Sequence, residues 1–266
     1  MIGISIRASW DFQIAIKKLR GYNFDFFEIQ LDNPIFKFPE WQANAIKILD
    51  ELKKENVHLA FHLSFIDTNI ASIDEDIRYN TNKVLEDEIS FSKQWDPLYF
   101  LAHTGKISET FFQNAVIKEK ANEQQRKTIG ELLKFQSSSL IPLAIENRQK
   151  SNTVGLIEKN DDMQYYHNIF PNIHFVLDLG HLNTHFNNPD TLLGEVKQMS
   201  DLPIIAVHLS NNYGQDTHET LENGTILITQ LFSEIKSFQK KLLIIENKTL
   251  KDALKSIEFL HTCCNF

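Results

Sequence analysis

Cysteine is nearly absent. The 266 residues hold two, Cys263 and Cys264, adjacent and close to the C-terminus. Such a pair makes neither a disulfide framework nor zinc-finger spacing; it reads as inert and fits a reducing cytoplasm. Long apolar runs are missing too. No stretch approaches the roughly 18 residues that span a bilayer. The N-terminal run Ile2 to Ile6 ahead of Arg7 is too short for a signal h-region. A cytoplasmic chain with no membrane partner is therefore expected. Positive charge is in deficit, with 27 Lys and Arg against 35 Asp and Glu and a net charge of −8. That removes the general basic footprint of a nucleic-acid binder. It does not exclude DNA, since a local patch can exist and bound metal would offset several carboxylates. No Gly/Ser/Pro-rich linker, low-complexity tract or shift of composition interrupts the chain, so residues 1–266 read as one domain.

Eight short apolar runs lie near 2–6, 24–29, 57–62, 98–103, 141–146, 174–178, 204–208 and 242–246. They read as strands. The stretches between them carry helical periodicity, as in Ile14, Ile16 and Leu19, or Ala45, Ile46, Leu49 and Leu52. Further examples are Ile77, Val84, Leu85 and Ile89, and Leu227, Leu231, Ile235 and Phe238. Strand alternating with helix eight times predicts an α/β chain, a single (β/α)8 TIM barrel.

Six of the runs end on a metal-type ligand: His62, His103, Glu146, Asp178, His208 and Glu246. One polar residue closing a strand means little. Six in phase place three imidazoles and three carboxylates at one mouth of one barrel. Burying them together is costly unless a cation compensates. Strand alternation then requires an apolar layer two residues earlier, and Ala60, Leu101, Ala144, Val176, Ala206 and Ile244 stand there. Two loops add ligands: Asp178-Leu179-Gly180-His181, and Asp216-Thr217-His218. The nine candidates exceed one ion's capacity and suffice for two or three, if carboxylates bridge. Imidazole and carboxylate suit Zn, Mn or Fe.

Around these residues the chain resembles the xylose isomerase-like TIM barrel superfamily, which contains endonuclease IV and many sugar isomerases and epimerases. The resemblance is sharpest at His62 to Ser72 with Arg78, at His103-Thr104-Gly105, Glu146-Asn147, Asp178-Leu179-Gly180-His181, Asp216-Thr217-His218 and Glu246. It implies one divalent ion on Glu146, Asp178, His208 and Glu246 in the isomerases and epimerases. In endonuclease IV it implies three zinc ions on all nine positions: Glu146 bridging, His62 and His103 on one ion, Asp178, His208 and Glu246 on another, and His181, Asp216 and His218 on the third. There are departures. Arg148 to Asn152 replaces a Gly-rich segment, Thr104 a proline and Thr217 an arginine, and the loop from His208 to Asp216 is short. They leave the nine positions intact and bear on DNA engagement.

Each residue also has a plainer reading. His181 could start a helix or touch substrate, and Asp216 and His218 could lie in a solvated loop. Glu28 could be a rim base or substrate contact, or a structural salt bridge. Arg148 and Lys150 could meet a phosphate or solvent. Arg78 is expected to pair with an acidic neighbour and fix the loop after strand three. Phe65 is a candidate stacking wall. His58, His167, His174, His185 and His261 read as structural. Two activities follow from the resemblance. One is a phosphodiester hydrolase acting on abasic DNA through two or three ions, zinc by preference. The other is a sugar or sugar-phosphate isomerase/epimerase in which Glu146 and Glu246 move a proton through an enediolate. A metal-binding protein without catalysis is the third possibility.

Overall fold

The computed structural model describes residues 1–263 except Asn23 and Ser138, with Gln239 described only in its backbone. Cys264 lies outside the described residues, and Cys263 is a free, exposed thiol. Eight parallel strands close into a barrel: β1 (Ile2–Ile6), β2 (Phe26–Gln30), β3 (His58–His62), β4 (Phe100–His103), β5 (Leu143–Glu146), β6 (His174–Asp178), β7 (Ile204–Leu209) and β8 (Leu242–Ile245). Each strand pairs with its sequence neighbours, and β8 closes on β1. The expected runs are recovered with ends shifted by at most two residues. Leu98 and Tyr99 precede β4, and Ile141 and Pro142 precede β5.

Helices alternate with the strands. Asp11 caps Phe12–Leu19 by accepting from the Ile14 amide, and Asp74 caps Glu75–Ser92 through the Asp76 and Ile77 amides. In these two helices the packed face is narrower than periodicity alone implies, whereas Ala45, Leu49 and Leu52 of the helix Pro39–Lys54 are buried as expected. Ile16, Leu19, Leu85 and Ile89 are buried, but Ile14 is 54% exposed and Ile77 51%. The last expected helix splits into Ile228–Glu234 and a 3-10 turn, Lys236–Lys240, that carries buried Phe238. Arg78 is buried and joins two helices, bonding Glu75 beside it and Glu131 and Thr128 on Ala115–Phe135. Thr128 donates in turn to the Ile70 carbonyl, so Arg78 does secure the loop after β3. Among the described residues no helix is long and apolar enough to cross a membrane.

The core falls into two main compartments and a small third cluster of Ala71, Ile107, Ala121 and Leu156. The larger lies between strands and helices. The smaller is the barrel interior: Phe26, Ala60, Tyr99, Leu101, Ala144, Val176, Ala206 and Ile244, all fully buried. It contains every residue expected beneath the rim, and its alanines leave room for the Phe26 and Tyr99 rings. In register above it, His103 pairs with Glu146 and Asp178 with His208. One element has no counterpart in the sequence reading. Lys106–Ser108 and Thr153–Gly155 form a small antiparallel sheet over the mouth, with Lys106 opposite Gly155.

Candidate metal centre

The nine rim residues converge. Their ligand atoms sort into three groups, within each of which one atom per residue lies within 4.8 Å of every other. The groups are His62, His103 and Glu146; Glu146, Asp178, His208 and Glu246; and His181, Asp216 and His218. Glu146 belongs to two of them. All but His103, Asp216 and His218 are buried.

Four histidines are held by one ring nitrogen so that the other faces inward. His62 Nδ1 bonds the Leu63 carbonyl at 2.9 Å, which leaves Nε2 toward Glu146. His181 Nδ1 bonds the Asn147 carbonyl at 2.8 Å and His218 Nδ1 the Glu246 carbonyl at 2.9 Å; both Nε2 atoms face Asp216. For His208 the roles reverse. Its Nε2 bonds Glu28 Oε2 at 3.1 Å, and Nδ1 faces Glu146 and Glu246 at 2.8 and 2.7 Å. A carbonyl or carboxylate behind each ring fixes tautomer and orientation, as metal-binding imidazoles require. Glu28 is thus a buried structural partner of His208, within the barrel and not a base at the rim. Tyr99 Oη donates to the same Glu28 oxygen at 2.5 Å.

The carboxylates are fixed as firmly. Asn147 accepts from the Asp178 amide at 2.7 Å and donates to the Asp178 carbonyl at 3.0 Å. Asp178 Oδ1 caps the helix Leu179–Phe186 through the His181 amide, so Oδ2 alone points to the centre. A side chain at Gly180 would place its Cβ 2.4 Å from Ser210 Oγ, so the turn between Asp178 and His181 admits only glycine without movement. Gln30 donates to Glu246 at 3.0 Å, with Arg7 at 3.7 Å from the same oxygen. His218 sits at φ +51°, a strained setting for a side-chain-bearing residue. Asn247 holds it there by donating to the His218 and Glu219 carbonyls. Asn147, Asn247, Gln30 and Glu28 support the site from behind. An asparagine directly after Glu146 and after Glu246 is one local signal, and Glu28 closing its apolar run is another.

The donor set fits a divalent cation. Glu146 Oε1, Asp178 Oδ2, His208 Nδ1 and Asp216 Oδ1 are buried without a directed hydrogen bond, although His208 Nδ1 is 2.8 Å from Glu146 Oε1. Such crowding of lone pairs is costly unless a positive charge sits among them. Protons supply that charge when no ion does. Burial opposes charge on His208 and His181. The neighbouring carboxylates outweigh it, raising His208 well above its ordinary range and His181 to about 9. Burial raises Glu146 and Glu246, but the imidazoles of His103 and His208 pull the first well down, and His208 with Arg7 the second.

The surroundings are aromatic and cationic. Phe65 stacks on His103 with centroids 4.3 Å apart and 13° between planes, as expected of a wall. Arg148 is half-buried beside the site, while Lys150 is exposed. His185 bonds the Arg148 carbonyl, a structural role. The loops after β1 and β2 frame a cavity of about 380 Å³ lined by Trp10, Phe12, Asn33 and Trp41 among others.

Known proteins share this architecture. The xylose isomerase-like TIM barrel profile matches residues 16–263. The uncharacterised protein MJ1311 of Methanocaldococcus jannaschii is 27% identical over 250 residues, covering 92% of this chain and 82% of its own. A D-tagatose 3-epimerase-like protein superposes with TM-score 0.83 at 23% identity, over 99% of this chain and 97% of its own. Endonuclease IV from Thermus thermophilus does so with TM-score 0.73 at 14% identity, over 99% and 98%. Barrel, strand order and profile match together establish that the chain belongs to the xylose isomerase-like TIM barrel family.

Proposed function

We propose that the whole chain acts as one barrel domain and is a metal-dependent phosphoester hydrolase with a three-ion centre, zinc by preference. The observation that carries this reading is the sorting of nine side chains into three ligand groups joined at Glu146. His62, His103 and Glu146 would hold one ion, Glu146, Asp178, His208 and Glu246 a second, and His181, Asp216 and His218 a third. Bound ions would activate water and offset charge on phosphoryl oxygens. The protein's own part is to orient. Glu28 keeps the proton on His208 Nε2, Asn147 ties Asp178 to His181, and Arg7 and Gln30 fix Glu246. Abasic DNA and phosphorylated sugars are the substrate classes this chemistry admits.

A second reading, a sugar isomerase/epimerase, uses only Glu146, Asp178, His208 and Glu246, with Glu146 and Glu246 as acid and base. Its support is the likeness to the D-tagatose 3-epimerase-like protein and the tryptophan-walled cavity, which is within the ~300–1,000 Å³ range of small-molecule pockets. One experiment separates the two. Reconstituted protein is analysed for metal and assayed on an abasic-site duplex, on phosphate monoesters, and on ketoses in deuterated water. Two or more ions per chain with chelator-sensitive phosphate release or nicking supports the hydrolase. One ion with deuterium incorporation and no hydrolysis replaces it by the epimerase. In the hydrolase, Asp216→Ala with His218→Ala should remove one ion and nearly all activity.

A further inference from the structure

Two cations beside the metal centre, Lys106 and Arg148, lack a carboxylate within ion-pair distance among the described residues. Arg148 makes a single side-chain hydrogen bond, a long one of 3.5 Å to Thr153, and its buried Nε has no partner. Lys106 bonds neighbours only through its backbone, to Asn69. Neither belongs to any ion pair among the described residues. Asp67 acts on Lys106, and Glu146, Glu158 and Asp216 act on Arg148, only through space. Unpaired, partly buried like charges repel, and burial together with Arg148 lowers the Lys106 pKa below its usual value. Surface cations ordinarily swing apart into water. Here the fold keeps them together.

The small sheet over the mouth is what holds them. It sets Lys106 opposite Gly155. The Arg148 stem lies on that glycine: a Cβ there would fall 2.7 Å from Arg148 Cβ and 3.0 Å from its Cδ. Glu158 anchors the Gly155 amide at 2.8 Å, and the Arg148 amide is tied to the Ile157 carbonyl at 2.9 Å. Lys106 and Arg148 then line one cleft with Phe65, His103 and Thr104. The cleft is narrow, about 10 Å³ of water-sized room, so a ligand group would sit at its mouth. That position adjoins His103, at one end of the ligand set.

We infer that Lys106 and Arg148 form a subsite for a phosphoryl group next to the His62–His103 end of the metal centre. A planar guanidinium and a point ammonium on one cleft suit a tetrahedral dianion. The inference rests on the phosphoester reading but is separable from it, because a substrate phosphate that is bound and not cleaved would use the same pair.

The test uses the full chain with its metal, in wild type and in Lys106→Met, Arg148→Met and the double variant. Binding of inorganic phosphate, of a ketose phosphate and its parent ketose, and of an abasic-site duplex is measured by calorimetry at two salt concentrations. Metal content is measured in parallel. The subsite requires phosphate binding to weaken roughly tenfold for each of the two cations removed, with metal content unchanged. If the substrate is a sugar phosphate, its preference over the parent sugar collapses in the double variant. If the phosphate belongs to nucleic acid, duplex binding weakens and its salt slope falls by about 2. Wild-type phosphate affinity in a folded, metallated double variant overturns the inference. Arg148→Lys, which keeps the charge, guards against misfolding: it should retain more phosphate affinity than Arg148→Met, and equal values also overturn the inference. Absence of hydrolysis as an activity, with phosphate preference intact, would sink the hydrolase and leave the subsite standing.

Discussion

Glu28 lies 180 residues before His208 in sequence, yet one of its oxygens takes both the imidazole Nε2 and the Tyr99 hydroxyl. That pairing decides which nitrogen of His208 faces the carboxylates. Replacing Glu28 by Gln leaves an oxygen to accept from both donors. It removes the charge and puts an amide where Glu28 Oε1 is buried without a partner. The expected outcome is a folded protein whose affinity for the ion on His208 falls by about 10–100-fold, the usual effect of losing such a support. Competition with a chelator measures it, and wild-type affinity would count against the role. The contrast with the nine rim residues explains what a sequence can show. A His or Glu closing an apolar run carries its own signal, and those six, with the D-x-x-H and D-x-H loops, were legible as candidates. Glu28 has a local signal too, at the end of Phe26-Phe27-Glu28. Only the closed barrel brings it to His208, so the salt-bridge reading was available and its partner was not. Asn147 and Asn247 look like ordinary loop residues until their hydrogen bonds are seen.

The strands put the ligands at one height by what lies beneath them. Ala144 is fully buried in the barrel interior two residues before Glu146, on the same side of β5. Ala144→Leu would overfill that layer and push Glu146 out of line. It should cost about 1–3 kcal/mol in urea unfolding of the metal-free protein, and it should lower metal capacity as well. Ile145→Val, in the outer compartment, should cost about 0.5–1.5 kcal/mol and leave metal binding unchanged. Equal metal affinity in the two variants would show that the floor does not set the site. Period-two alternation made this layer legible, because each inward position must be apolar whatever the partner strand. The small sheet was not legible. Its strands are three residues each and more than forty residues apart in sequence, so neither run is long enough to show a period. Two helix faces are narrower than their spacing predicts for a related reason. Ile77 and Ile14 keep helical spacing but fall outside the strip that the barrel covers.

For the molecule as a whole, any ion bound by the nine residues would compete with protons for the same atoms, and the competition has a sign. In the metal-free state burial opposes charge on His181, but Asp178, Asp216, Glu146 and Glu246 raise it to about 9, against about 6.5 unfolded. A group raised on folding adds stability that is complete below about pH 6.5 and is lost as pH climbs through 9. The metal-free protein should therefore lose stability between those values. Bound ions demand unprotonated imidazoles, so their affinity should rise over the same window. Since an ion bound only to the native state stabilises it by an amount that grows with concentration over Kd, the gap in melting temperature between loaded and metal-free protein should widen from pH 6.5 to 8.5. Loading at pH 8 should release protons, seen as a dependence of the calorimetric heat on the ionisation enthalpy of the buffer. His181→Asn should flatten the metal-free curve in that window and reduce the protons released. A gap that stays constant or narrows with pH, with no proton release, would mean that the imidazoles are not where the ions bind. The carboxylates alone would then have to hold them, and the grouping of His181 with Asp216 and His218 would lose its purpose.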